Sequence, residues 1–469
     1  MTIIIQNATI VPMDENRIIR NRSIVIENSR IVEIGRKEEI SIPQGAEVIE
    51  GEGRLVIPSL LNAHTHASMT LLRGYADDMD VQTWLTEKIW PLESKLTPEH
   101  IYIGSKLAAV ESVLSGCTLL NSMYFHADQE AKAITEVGLR AYVGQVAFSW
   151  TKGNDKQELE SLIDKLHRKE DDRIRVTVNP HATYTVDPEF LIEFRIMTDE
   201  INEKLDEDAQ LLIHFHLAET FDEVEKIKEA LVQWEKDGKV PKAVSLKNGI
   251  LQYLDELGFL TSASNKESDV LGVHGVALNQ NDLRIMAEQG VKLCHCPASN
   301  LKLGSGVPPL PDIMKKDIAL GLGTDGAASN NSLDMLDAVR LAALIEKGYN
   351  RDPTLVSAYE AIKMATLGSA RALNCQKDLG SLEEGKKADL TIINLKKPHL
   401  VPIYNEISHL AYCIKSTDVE TVICNGDIVL HNGIMENIDV YKLFEEVEKT
   451  KGLSIGSIDG AFYGFIKYS

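Results

Sequence analysis

Histidines and acids recur at the ends of apolar runs in this chain, where burying them is costly unless they have a task. His64 and His66 close the run VIPSLLNAHTH. On a strand, residues two apart point to one side, so both imidazoles can reach a single metal from the same face. His214 and His216 in LLIHFHLAET share a face in the same way. His216 lies nearer the strand end and three residues before Glu219, which makes it the expected third ligand and leaves His214 as a deeper, hydrogen-bonded neighbour. Asp325, in IALGLGTDGAASN, follows small glycines that allow close backbone approach; it is either the N-cap of the next helix or a fourth ligand, and the ligand reading is preferred. Three histidines and one carboxylate suit one Zn2+ per subunit, with iron or another divalent ion as a substitute. Zinc brings a bound water to a pKa of about 7. Glu219 and His274 would then move protons, and Asp325 would accept the water's proton, in hydrolysis at an amidine-like ring carbon. Each residue alone reads as a core histidine or a capping acid; their joint placement at run ends favours a site.

Residues this far apart in sequence need elements that converge. Eight apolar runs alternate with amphipathic helical stretches: VIPSLLNAHTH, TLLNSMY, LRAYVGQVAF, RIRVTVNPHATYT, LLIHFHLAET, DVLGVHGVAL, VKLCHCPASN and IALGLGTDGAASN. Eight such units predict an α/β fold with a closed (β/α)8 TIM-type barrel, whose strands deliver their carboxyl ends to one mouth. An open doubly wound sheet is the runner-up, but no G-x-G-x-x-G follows the first strand. The first sixty residues, and those after about 385, share short β-branched bursts broken by Asn, Gly and Pro, which predicts a small β-sandwich domain built from both termini. The expected division is 1–57 for the first sandwich part, 58–372 for the metal-dependent barrel, and 373–469 for the second sandwich part with a C-terminal helical tail.

The run RIRVTVNPHATYT holds no lysine that would bridge two metals, which favours a single ion. Cys294-His295-Cys296 has no second cysteine pair at zinc-knuckle spacing and reads as barrel packing. Neither H-x-E nor P-C-x-x-C is present, which excludes the small cytidine-deaminase fold. A net charge of −21 excludes tracking along a nucleic-acid polymer. The acids of 154–172 and 219–237, mixed with Lys, read as solvated outer faces. Six scattered cysteines fit a reducing compartment, and the lack of a signal-like N-terminus or a long apolar span predicts a cytoplasmic protein without a membrane segment.

The segments VIPSLLNAHTHASMTLLRGYADDMDVQTWLTEKIWPLESKL, PHATYT, HFHLAET, HCPASNLKLG and GLGTDGAASNNSLDML together resemble the 5′-methylthioadenosine/S-adenosylhomocysteine deaminases of the amidohydrolase superfamily, over about residues 5 to 435. The resemblance implies deamination of an adenosine-type nucleoside to its inosine product. It implies His64, His66, His216 and Asp325 as zinc ligands, Glu219 as a proton shuttle at the purine ring and His274 as an aid to the water. It further implies Glu93 as acceptor for the ribose hydroxyls, His181 as a substrate contact, Trp84 as a wall of the pocket, and association into a homo-oligomer. The chain departs from the family after GLRA, where VGQVAF places Gln145 in the position of a pocket arginine. A neutral amide cannot pair with a carboxylate as arginine does, so S-adenosylhomocysteine is expected to be a poorer substrate. A free-base or triazine reading, as in guanine deaminases or chlorohydrolases, leaves Glu93 without a task; a catalytically dead scaffold would not retain the whole ligand and proton-transfer set.

Overall fold

The structure is a computed structural model that describes residues 2–151, 154–261 and 268–450, without the side chains at 154–156, 158 and 170. All eight apolar runs form barrel strands: β1 (Leu60–Thr65), β2 (Cys117–Tyr124), β3 (Arg140–Ala147), β4 (Ile174–Val176), β5 (Ile213–Leu217), β6 (Val270–His274), β7 (Lys292–His295) and β8 (Leu320–Leu322). They pair in parallel, β1 through β4 in one set and β5 through β8 in another. Backbone bonds close both seams. Between β4 and β5, His214 N–H donates to the Val178 carbonyl and His216 N–H to the His181 carbonyl, both at 2.9 Å. Between β8 and β1, Asp325 N–H donates to the His64 carbonyl at 3.1 Å. This last approach requires Gly323, because a Cβ there would lie 2.8 Å from the His64 carbonyl oxygen.

Strand alternation sorts the side chains. Leu61, Ala63, Leu119, Tyr142, Leu271, Val273, Cys294 and Cys296 fill the barrel interior. Ala141, Val143, Ala147, Ile213 and Phe215 instead join the shell that includes the surrounding helices. Each fully buried Leu, Ile or Phe contributes about 1.5–3 kcal/mol. Cys294 and Cys296 are therefore interior packing, and all six cysteines are free thiols.

The run VIPSLLNAHTH is shared between two bodies. Arg54–Pro58 belongs to the terminal sheet, pairing antiparallel with Leu390–Asn394, and β1 begins just beyond Ser59. Nine strands from both chain ends make up that sheet, with Ile3, Ile5, Ile24, Ile26, Leu390 and Ile392 in its core. Arg140 of β3 ties the barrel to it: the buried guanidinium makes a two-point ion pair with Asp389, at 2.9 and 2.8 Å, and reaches Asn425 Oδ1 at 3.0 Å. The last described element is the helix Val440–Thr450; the rest of the expected tail, 451–469, lies outside the described residues. Among the described residues no helix is long and apolar enough to cross a membrane.

Candidate active site

The strand ends gather six imidazoles and two carboxylates at the barrel mouth. His64 Nε2 and His66 Nε2 each lie 3.2 Å from Asp325 Oδ1. The His216 ring centroid is 5.1 Å from that of His64 and 5.4 Å from those of His66 and His274. Two groups have ligand atoms within 4.8 Å of one another: His64, His66 and Asp325 form one, and His64, His216 and His274 the other, with His64 common to both. His274 Nε2 sits 3.9 Å from Glu219 Oε1. Asp325 does not cap the following helix. Met335–Asn350 is capped by Asp334, whose side chain accepts from Leu336 N–H at 2.9 Å and Asp337 N–H at 3.2 Å.

Hydrogen bonds behind the cluster fix which ring nitrogens are free. His66 Nδ1 faces the Met123 carbonyl at 2.6 Å and must carry its proton, which leaves Nε2 with a lone pair. His274 Nδ1 likewise meets Asn300 Oδ1 at 2.8 Å. His181 Nδ1 meets Thr185 Oγ1 at 2.8 Å, and that hydroxyl donates to the Ala182 carbonyl. His64 Nδ1 is 2.9 Å from His214 Nε2, so His214 is the neighbour that can accept the Nδ1 proton when His64 uses Nε2 as a ligand atom. Asp325 Oδ2 takes the hydroxyls of Ser299 at 2.5 Å and Ser329 at 2.8 Å, and Oδ1 takes Gly326 N–H at 2.8 Å.

His64, His181, His214 and His216 are held neutral, as a metal donor set requires. Burial holds the His64 imidazole down to about 4 and His181 to about 3, and puts His214 and His216 well below the usual range, with the neighbouring histidines adding to the effect. Burial works against the Asp325 carboxylate, but hydrogen bonds from His64 and His66 outweigh it and keep the group well below its usual value. His66 runs the other way from those four imidazoles: burial lowers it, but the hydrogen bond and charge of Asp325 outweigh burial and hold it above the usual value. Protons can therefore bridge His64 and His66 to Asp325, and a divalent cation would take their place among the same converging nitrogen and oxygen atoms. The residues present therefore fit a divalent metal ion.

Above this floor lies a cavity lined by His66, Trp84, Glu93, His181, His216, Glu219, His274 and Asp325 along with apolar side chains. Trp84 and Glu93 arrive on a helical stretch, residues 81–93, that a wide π-helical segment interrupts at Trp84–Ile89. Glu93 Oε1 accepts the Tyr124 hydroxyl at 2.6 Å. Burial pushes the Glu93 carboxyl up, while Tyr124 and His66 pull it back. Burial also raises Glu219, against the lowering pull of His274 and with a further push from Asp325.

Gln145 does not line the cavity. It occupies the β3 position between Gly144 and Val146, on the strand face of Val143 and Ala147, whereas Val146 and Phe148 face inward. The expectation built on Gln145 as a substrate contact is therefore corrected. A second correction concerns the acids of 219–237, which are not all solvated: Glu223 is fully buried and accepts Glu219 N–H at 2.8 Å, Ala218 N–H at 3.1 Å and the Thr183 hydroxyl at 2.6 Å. Sequence reasoning also passed over Tyr124, Ser299, Asn300 and Ser329. Their one signal was position, since Tyr124 ends β2 and the other three follow β7 and β8.

A model described as the amidohydrolase family matches residues 55–429. The chain belongs to the amidohydrolase family, a class defined by this barrel and this histidine-rich mouth. Within that class it is 39% identical over 453 residues to the 5-methylthioadenosine/S-adenosylhomocysteine deaminase of Pelotomaculum thermopropionicum, covering 95% of this chain and 97% of that protein. It is 38% identical to the 5′-deoxyadenosine deaminase of Methanothermobacter thermautotrophicus, over 92% of this chain and 94% of that one. Among solved structures, an adenosine deaminase from Xanthomonas campestris with bound zinc superposes with a TM-score of 0.84 at 30% identity, covering 96% of this chain and 97% of that one.

Proposed function

We propose that this protein is a zinc-dependent hydrolytic deaminase of adenosine-type nucleosides. One observation carries the reading: three atoms able to ligate a metal, His64 Nε2, His66 Nε2 and Asp325 Oδ1, converge with both nitrogens 3.2 Å from the oxygen, on the floor of a cavity that Glu219 and His274 also line. The names of the similar deaminases support the choice of substrate class.

In this reading His64, His66, His216 and Asp325 hold the ion. When bound, a divalent cation supplies Lewis acidity that brings water's acidity into the neutral range. The chain's own residues do the rest. Asp325, steadied by two serine hydroxyls, accepts the proton of the attacking water. Glu219, whose carboxyl burial pushes up, donates at the ring nitrogen and then carries a proton to the departing amine. His274, locked by Asn300, presents Nε2 toward the same space and orients the nucleophile. His181, locked by Thr185, offers its own Nε2 to the substrate. Glu93 accepts the ribose hydroxyls and Trp84 walls the pocket.

The test is turnover of a nucleoside panel by zinc-loaded protein, followed by the change from an adenine to a hypoxanthine chromophore and by released ammonia. Glu219→Gln should abolish turnover while metal content stays at wild-type level. No turnover of any nucleoside would remove the reading, and an active Glu219→Gln variant would displace Glu219 from its role.

A further inference from the structure

The cavity leaves the metal-competent floor along an aromatic wall. Phe148 stacks on the His181 ring with centroids 4.6 Å apart and planes 30° apart. Trp150 stacks on Phe148 at 4.5 Å and 16°, and Trp90 meets Trp150 edge-on at 6.4 Å. Phe125 lies nearly parallel to Phe148 at 6.4 Å, and Met123 and Val146 pack with this pair. Trp150 is 38% exposed, so the stack runs from the chemistry to the rim. Phe125 also adjoins Tyr124, the partner of Glu93, at 5.4 Å. The wall therefore begins where the ribose hydroxyls are held and continues past them.

Its charge is one-sided. The cavity is lined by Glu93, Glu219 and Asp325, and among the described residues no lysine or arginine lines it. Two cations that sit beside lining residues already have acidic partners. Lys226 pairs with Asp222 at 3.2 Å above the Tyr184 ring, and Lys302 pairs with Asp77 at 2.5 Å.

We propose that this wall, Phe125, Val146 and Phe148, with Trp150 packed behind Phe148, is the subsite for the 5′ substituent of the nucleoside, and that it selects apolar, uncharged substituents over the zwitterionic amino-acid tail of S-adenosylhomocysteine. The proposal rests on the deaminase reading above. An alkylthio group gains contact with the ring faces and loses only unfavourable hydration. A carboxylate placed there loses its hydration beside three acids and, among the described residues that line the cavity, finds no lysine or arginine to pair with. An ammonium group is tolerated, since π faces and carboxylates both attract it. The carboxylate is thus the half of the tail that the wall rejects.

The experiment is a set of kcat/KM values on wild-type protein with adenosine, 5′-deoxyadenosine, 5′-methylthioadenosine, 5′-butylthio-5′-deoxyadenosine, S-adenosylhomocysteine and its decarboxylated analogue. The alkylthio series should rise by up to about fourfold per methylene. S-adenosylhomocysteine should fall about tenfold or more below methylthioadenosine, and removal of its carboxylate should restore most of that loss. In Phe148→Ser the butylthio-to-adenosine ratio should shrink through KM, whereas a merely structural role would lower all substrates together. S-adenosylhomocysteine turned over as well as methylthioadenosine, or a flat alkylthio series beside good adenosine turnover, overturns this proposal alone. Silence on every nucleoside overturns the deaminase reading and this proposal with it. The wild-type panel decides the matter even if Phe148→Ser does not fold.

Discussion

Tyr124→Phe removes one oxygen from the site and leaves the ring in its buried place among Met69, Leu72 and Ile101. That oxygen donates to Glu93 Oε1 at 2.6 Å, and the partner is a carboxylate in a desolvated position. Hydrogen bonds to charged groups contribute about 1.5–3 kcal/mol, so if the bond serves to aim Glu93 at the ribose, kcat/KM for adenosine should drop about 10- to 150-fold. The loss should appear mainly in KM, and 2′,3′-dideoxyadenosine, which has no hydroxyls to offer Glu93, should lose far less. The pH profile gives an independent sign. Burial holds the Glu93 carboxyl above its ordinary value and the Tyr124 hydroxyl bond lowers it. Without that bond the folded carboxyl titrates higher still, so the acid limb of kcat/KM for adenosine should move to higher pH. Steady-state rates on both nucleosides across pH 5 to 9 decide the outcome. An equal loss on both, with an unmoved acid limb, would refute the assignment of Tyr124 as a positioning residue and the ribose role of Glu93 with it.

Glu130 is fully buried behind Ser122, whose hydroxyl donates to it at 3.0 Å and accepts Ala67 N–H beside His66, and burial lifts its carboxyl from 4.5 to about 7. Below about pH 4.5 folded and unfolded chains both hold the proton; between 4.5 and 7 the unfolded chain releases it first, so stability falls as pH rises, by about 3 kcal/mol once above 7. Glu130→Gln abolishes this slope, so its stability relative to wild type should improve by about that amount between pH 5 and pH 8 in denaturant titrations; a difference independent of pH would rule the account out. Asp389→Asn leaves the buried Arg140 guanidinium short of its charge partner and should cost about 3–5 kcal/mol in the same assay. A cost under about 1 kcal/mol would mean that the barrel and terminal sheet do not depend on this pair.

The clustered histidines were legible because an imidazole on an apolar strand is expensive, and because a spacing of two puts His64 and His66, or His214 and His216, on one face without any knowledge of the fold. The barrel was legible for a related reason: parallel strands covered by helices read as continuous apolar runs. Gln145 was misjudged by the property that made the histidines clear. A shift of one position along β3 exchanges the cavity face for the helix face, and no residue in VGQVAF reveals which is which. Glu223 was hidden because an acid in the first turn of a helix looks the same whether it meets water or the N–H groups of Ala218 and Glu219. The aromatic wall was hidden as well. Phe125, Phe148 and Trp150 come from two strand ends, and only the parallel pairing of β2 with β3 makes them one surface.

Backbone strain shows where the fold yields to the site. Ala218, His274 and Asp325 have positive φ values of 50°, 76° and 62°, a conformation that non-glycine residues adopt at a cost of order 1–3 kcal/mol each. All three fall at strand ends, after β5, at the end of β6 and after β8. Each is held by a bond that also sets a functional atom. Ala218 N–H is fixed by Glu223, which anchors Glu219 N–H as well; His274 is held by Asn300; Asp325 is held through its N–H by His64 and through its carboxylate by Ser299 and Ser329. The left-handed turns redirect the chain where a regular strand would run on past the mouth, and the bonds that stabilise those turns also aim the donor atoms. Loss of one such bond would therefore act on the backbone turn and on the aim of the neighbouring side chain together, so substitution of Glu223 or Asn300, though neither lines the cavity, is expected to lower turnover as well as stability.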